Sequence, residues 1–160
     1  MAHIAYLALG SNLDDPLAQV KSAMSALDTL PHTRVLNRSS LYRSAPQGYL
    51  DQPDFVNAVV RVRTELAPHV LLDAMLALER ARGRTREFTN APRTLDLDML
   101  LYDDLALHEH GLTLPHSQMH RRAFVLQPLL EIAPDCVIPG IGKAMEAARS
   151  CADQQLEKIE

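Results

Sequence analysis

The sequence predicts an α+β sandwich, a mainly antiparallel sheet with helices packed on it. Three observations lead there. Four short segments read as strands. Two longer segments carry apolar residues at helical spacing. These six pieces follow one another as β-α-β-β-α-β, and a C-terminal extension comes after them.

The first strand is HIAYLAL, His3 to Leu9, and GSN, Gly10 to Asn12, reads as a turn. Asp14, Asp15 and Pro16 then look like a helix start, an acidic cap with proline in the first turn. Leu17, Val20, Met24 and Leu27 share one helical face, and the helix should stop near Pro31. Arg34 to Ser44 is the second strand, and the proline- and glycine-bearing stretch Ala45 to Pro53 is a loop. In the third strand, DFVNAVVRVRT, Val56, Ala58, Val60 and Val62 share one face. Phe55, Asn57, Val59 and Arg61 share the other. Pro68 opens a second helix with Leu71, Leu72, Met75, Leu76 and Glu79 on one side, and Gly83 ends it. An arginine-rich loop leads into the fourth strand, TLDLDMLLY. This order is the ferredoxin-like one, two crossover units around an antiparallel sheet with both helices on one face. The extension adds LTLPH, then Arg121 to Pro134 as a helix that Pro128 should shorten or break, then a helix over about Lys143 to Leu156.

A length of 160 residues suits one domain, and 47% hydrophobic residues can fill a core. No apolar run reaches the roughly 18–20 residues of a membrane span. The first residues lack the pattern of a signal peptide. The two cysteines, Cys136 and Cys151, form no CxxC pair. Free thiols, no membrane contact and a cytoplasmic location are the expectation. The formal net charge of −4 argues against nucleic acid as a partner. Arginine nevertheless outnumbers lysine 13 to 3, and Arg80, Arg82, Arg84, Arg86 and Arg93 cluster together. A guanidinium fork grips phosphate at two points, which a lysine cannot do. An arginine cluster in an acidic chain points to a small phosphate-bearing ligand.

The stretch RTLDLDML, Arg93 to Leu100, sets two acids in an apolar strand. Alternation places Asp96 and Asp98 on one face and Leu95, Leu97, Met99 and Leu101 on the other. Strand rise separates the two carboxylates by roughly 6–7 Å. Their repulsion is about 2–3 kcal/mol at an effective dielectric near 20. A cation between them removes that cost, and Mg²⁺ is suited to one or two carboxylates plus phosphate oxygens. Such a strand could also face plain water. Arginines beside the acids favour a phosphoryl-transfer site.

RTLDLDMLLY, DQPDFVNAV, ALGSNL, LPHSQMHRRAF and PLLEIAP together resemble the 6-hydroxymethyl-7,8-dihydropterin pyrophosphokinase family, from about residue 4 to 140. The resemblance implies a folate-synthesis enzyme that moves the β,γ-pyrophosphoryl group of ATP onto a pterin hydroxymethyl and releases AMP. It implies that Asp96 and Asp98 ligate two Mg²⁺ ions and that Arg84 and Arg93 stabilise the transferring phosphates. Arg86 supports the loop and the nucleotide. Leu72 and Leu76 match positions near the adenine, and Thr113, His116, Ser117 and Arg122 match further nucleotide contacts. Asn57 pairs with the polar edge of the pterin, while Phe55 and Phe124 sandwich its ring. Ser44, Ala45 and Gln47 offer mostly backbone contacts. The loops after Ser44 and from Arg84 to Pro92 close over the substrates. A monomer acting on two small molecules is the expected state.

The chain departs from the family pattern in places. TNAPRT stands where the family often has Trp-Gly-Pro-Arg, and the chain has no tryptophan, so Phe88 is the candidate lid residue. Ser117 stands where tyrosine is common, and Gly111 where some members have arginine. Two other classes deserve comparison. A nucleotidyltransferase with a DxD pair would release pyrophosphate instead of AMP. An RNA-binding module of this shape would be basic and show sheet aromatics, and this chain is acidic with 4% aromatic residues.

Overall fold

The computed structural model describes residues 1–46, 50–82 and 94–160. The elements are β1 (His3–Ser11), α1 (Pro16–Leu27), β2 (Thr33–Arg38), β3 (Tyr42–Ser44), β4 (Phe55–Thr64), α2 (Pro68–Ala81), β5 (Asp96–Tyr102), β6 (Leu107–Glu109), β7 (Leu112–Leu114), α3 (Ala123–Ile132), β8 (Val137–Ile138), β9 (Gly142–Lys143), α4 (Ala144–Arg149) and β10 (Leu156–Lys158). The main sheet has the order β10-β3-β4-β1-β5, with β2 also paired to β4, and its neighbours are antiparallel. The pairs β6-β7 and β8-β9 form two small hairpins.

The alternation in β4 decides the layers. Val56, Ala58, Val60 and Val62 are buried on one face with Ala5, Leu7 and Leu9 of β1. Val20, Ala23, Met24 and Leu27 of α1, and Leu71 and Met75 of α2, cover that face. Each such leucine adds about 1.5–3 kcal/mol when buried. The start of α1 is as expected: Asp15 caps it by accepting the Ala18 N–H, and Pro16 follows. On the opposite face Val59 packs with Leu126 and Leu129 of α3 and Ala144 and Ala148 of α4. The sheet is therefore covered on both faces by helices. The expectation of one helical face holds for α1 and α2 only, because the extension covers the other.

Five local expectations are corrected. β1 runs on through Gly10 and Ser11, so GSN is not a free-standing turn. The stretch Arg34 to Ser44 is two strands. Ser39 accepts the place of a ladder residue, its N–H going to the Val59 carbonyl and its hydroxyl accepting the Val59 N–H, both at 2.9 Å. The chain can then step outward, and Leu41 pairs instead with Ile159 and Glu160 of the tail. α3 continues through Pro128, which is buried in the second core, so packing outweighs the lost donor. The last helix stops at Arg149, and Leu156 begins β10 on β3. Leu101 does not join the leucine face of β5. A register shift at Tyr6/Leu7 turns it into the second core with Leu100.

Candidate active site

The row of residues across the sheet begins with Asp96, which lies opposite Gly10. Gly10 lies opposite Asn57, and Asn57 opposite Tyr42. One step along, Asp98 lies opposite Ala8, which lies opposite Val59. Leu95, Leu97 and Met99 point into the α1/α2 core, so Asp96 and Asp98 face the α3 side. There they line a solvent-open cleft together with Gly10, Ser44, Ala45, Phe55, Asn57, Arg122 and Phe124. The acids stand on one side of β1 and the amide on the other.

Asn57 is 4% exposed and Ser44 is 7% exposed. The Asn57 Nδ2 donates to Ser44 Oγ at 2.6 Å, which fixes the amide plane and turns its oxygen toward Gly10. β3 is in turn held to α3. Glu131 accepts from the Ser40 N–H at 3.0 Å, from its hydroxyl at 2.7 Å and from Tyr42 OH at 2.6 Å. Burial alone would raise the Glu131 pKa, but these hydrogen bonds, with Lys158, outweigh it and hold it below the usual carboxylate range. The same contacts seat α3, and with it Phe124, over β3.

Arg122 precedes α3, and its guanidinium stands 5.5 Å from the centre of the Phe124 ring. It lines the cleft with both acids. His116 follows the β6-β7 hairpin. Its Nδ1 accepts the Gln118 N–H at 3.1 Å, so the ring proton sits on Nε2, which is 3.8 Å from Asp98 Oδ1. Burial, and then the nearby Arg122 charge, push its pKa down, against a weaker upward pull from Asp96. The GSN residues anchor the loop beside the cleft. Asn12 is 2% exposed, and its Nδ2 donates to Gln52 Oε1 at 2.8 Å and to the Pro53 carbonyl at 3.0 Å.

Ser44, Ala45, Phe55, Asn57, Asp96, Asp98, Arg122 and Phe124 thus share one cleft. Thr113, His116 and Ser117 line a neighbouring groove with Pro115 and His120. Leu72 packs against the α1/α2 core and Leu76 is 37% exposed on α2, and neither lines the cleft or that groove. Gln47, Gly83, Arg84, Arg86, Phe88 and Arg93 lie outside the described residues.

One residue of this neighbourhood escaped the sequence reading. Glu79 on α2 is 3% exposed and accepts the Leu97 N–H at 2.6 Å, between the two aspartates. The signal was present, since Leu71, Met75 and Glu79 recur every fourth residue and put an acid in the apolar stripe. A buried carboxylate there needs donors, and the outer edge of β5 supplies one. Glu79→Ala leaves that N–H unpaired and is expected to cost about 1–3 kcal/mol. Urea unfolding measures it, and an unchanged midpoint would refute the role.

Acids, an oriented amide and two phenylalanines lining one cleft fit an enzyme acting on small molecules. The described residues contain no helix long and apolar enough to cross a membrane. Residues 6–134 match the family profile described as 7,8-dihydro-6-hydroxymethylpterin-pyrophosphokinase. The 2-amino-4-hydroxy-6-hydroxymethyldihydropteridine pyrophosphokinase of Haemophilus influenzae is 44% identical over 155 residues, covering 97% of each chain. The protein of the same name from Pseudomonas aeruginosa is 44% identical, covering 99% of this chain and 98% of its own. Among solved structures, Plasmodium falciparum HPPK-DHPS with pteroate has a similar fold, with a TM-score of 0.72 at 14% identity. That match covers 93% of this chain and 42% of the other, so the present chain spans less than half of that protein. The chain belongs to the 7,8-dihydro-6-hydroxymethylpterin-pyrophosphokinase family.

Proposed function

We propose that this chain transfers the pyrophosphoryl group of ATP to the hydroxymethyl group of 6-hydroxymethyl-7,8-dihydropterin in folate biosynthesis, giving the pterin diphosphate and AMP. One observation carries the reading: a single sheet face joins the pair Asp96 and Asp98 to Asn57, Phe55 and Phe124 in one cleft. Family membership supports it. The whole stretch 1–160 acts as one pyrophosphokinase domain, as a cytoplasmic monomer without nucleic-acid or membrane partners. The order β5-β1-β4 with β2 and β3 beyond, and α1 and α2 on one face, fits a ferredoxin-like core.

The pterin ring lies between Phe55 and Phe124, where offset stacking holds a flat heterocycle. Asn57 offers its amide to the polar edge of the ring, Ser44 and Ala45 line the same end, and Gln47 is a further pterin contact by family resemblance. The ring's hydroxymethyl then points along the row toward the acids. Asp96 and Asp98 are hard oxygen donors on one face, a set that suits Mg²⁺. Two such ions, when bound, neutralise charge on the phosphates and favour in-line attack. The hydroxymethyl oxygen bonds to the β-phosphorus and its proton passes to solvent, while the bond from that phosphorus to the α–β bridging oxygen breaks and AMP leaves. Arg84 and Arg93 stabilise the charge on the moving phosphates, and Arg86 supports the loop and the nucleotide. Arg122 and the Nε2–H of His116 point to the same region and orient the nucleotide. Thr113 and Ser117 extend its binding surface, with Leu72 and Leu76 near the adenine. The loop after Ser44 and the loop Arg84–Pro92 exclude water, with Phe88 as a lid in place of tryptophan.

The test is to incubate the protein with ATP, Mg²⁺ and the dihydropterin. AMP should form only when the pterin and the metal are both present. Release of pyrophosphate instead would point to nucleotidyl transfer, and absence of AMP would sink the proposal.

A further inference from the structure

Gly10 has an ordinary extended backbone in β1, unlike Gly111, Gly140 and Gly142 with their positive φ. Glycine is therefore not required there for conformation. In a strand interior it carries an entropic cost relative to alanine, and it often marks a point where something must come close. A Cβ built at Gly10 would sit 3.3 Å from Asn57 Oδ1 and 3.8 Å from Phe55 Cδ1. The second distance is ordinary contact. The first requires the amide oxygen to move.

Asn57 has little room to move. Its Nδ2 is tied to Ser44 Oγ at 2.6 Å, and the side chain is 4% exposed. Any retreat from a Cβ would tilt the amide or break that bond. Gly10 also lies between Asp96 and Asn57 in the same row and forms part of the cleft floor. We infer that Gly10 is a positioning residue for ring recognition: the missing side chain keeps the Asn57 amide in the plane that reads the edge of a flat, hydrogen-bonding heterocycle. This rests on the pterin reading above.

The measurement is steady-state kinetics on Gly10→Ala, with melting temperature alongside. The KM for the dihydropterin should rise about tenfold or more, while the KM for ATP stays within about twofold. The melting temperature should stay close to the wild-type value, because the gain of alanine over glycine in a strand offsets the disturbed Asn57–Ser44 hydrogen bond. A merely structural glycine would instead lower stability and shift both KM values together, which overturns the inference. The route through Asn57 has its own check. With Oδ1 gone in Asn57→Ala, the added methyl meets only ordinary contacts, with Phe55 and the Val56 carbonyl, so Gly10→Ala/Asn57→Ala should match Asn57→Ala alone. Additive losses would overturn the inference even if the single variant behaved as expected. If the wild-type protein makes no AMP from the pterin, the underlying reading fails. If it does, and Gly10→Ala keeps the wild-type pterin KM, only the Gly10 inference fails.

Discussion

Asp96→Ala or Asp98→Ala is expected to lower the rate of AMP formation by about 10³-fold or more while leaving the fold intact. The magnitude follows from the work the pair is given. Charge stabilisation at transferring phosphates by bound metal is worth several kcal/mol, and each 1.36 kcal/mol is about tenfold in rate. Neither acid is needed for the core. Both lie on the cleft face of β5, while Leu95, Leu97 and Met99 fill the α1/α2 core from its other face. The melting temperature without substrates should therefore change little, since neither side chain fills the core. Chelation of divalent metal should abolish activity in the wild type, and added Mg²⁺ should restore it. A variant of either aspartate that turns over at the wild-type rate would remove the acids from the mechanism.

The acids could be found in the sequence because strand alternation is local. One residue between Asp96 and Asp98 is enough to place them on one face. The β4 faces, the Asp15 cap and the gathering of Phe55 and Asn57 were legible for the same reason. What could not be read depends on distant partners. Arg34 to Ser44 looks like one strand until Ser39 meets Val59 and Leu41 meets the C-terminal tail. The tail helix ends early because Leu156 has a strand to join and because Gln154 caps α3, accepting the Ala123 N–H at 2.9 Å. Leu101 changes face through a register shift that no periodicity announces. In the site, the sequence names Asn57 and Ser44 separately. Only the fold shows one holding the other, or Nε2 of His116 set against Asp98.

Phe124→Ala should damage pterin recognition more than any single change at the other ring. Phe124 lines the cleft from the first turn of α3, and Arg122 stands over its face. Losing the ring removes one wall of the slot. Stacking contributes about 0.5–1.5 kcal/mol beyond burial, and the lost apolar contact adds a comparable amount or more. The sum, about 2–4 kcal/mol, corresponds to a rise of roughly 30- to 1,000-fold in the pterin dissociation constant. Phe55→Ala removes the other ring of the cleft, but Phe55 grows from β4 beside the fixed Asn57, so a smaller loss is expected. Phe124→Leu keeps apolar volume without a π face, which separates stacking from filling. It should recover the packing share and leave the stacking share lost. Titration with the dihydropterin, and with an ATP analogue as control, reads these constants directly. Equal weakening for both ligands would mean that Phe124 holds the cleft in shape and does not recognise the ring. The nucleotide side carries its own signature, because Arg122 loses its aromatic neighbour in Phe124→Ala but keeps its place before α3. ATP affinity should therefore drop by no more than the roughly 0.5–1 kcal/mol of an exposed cation–π contact, well below the pterin loss.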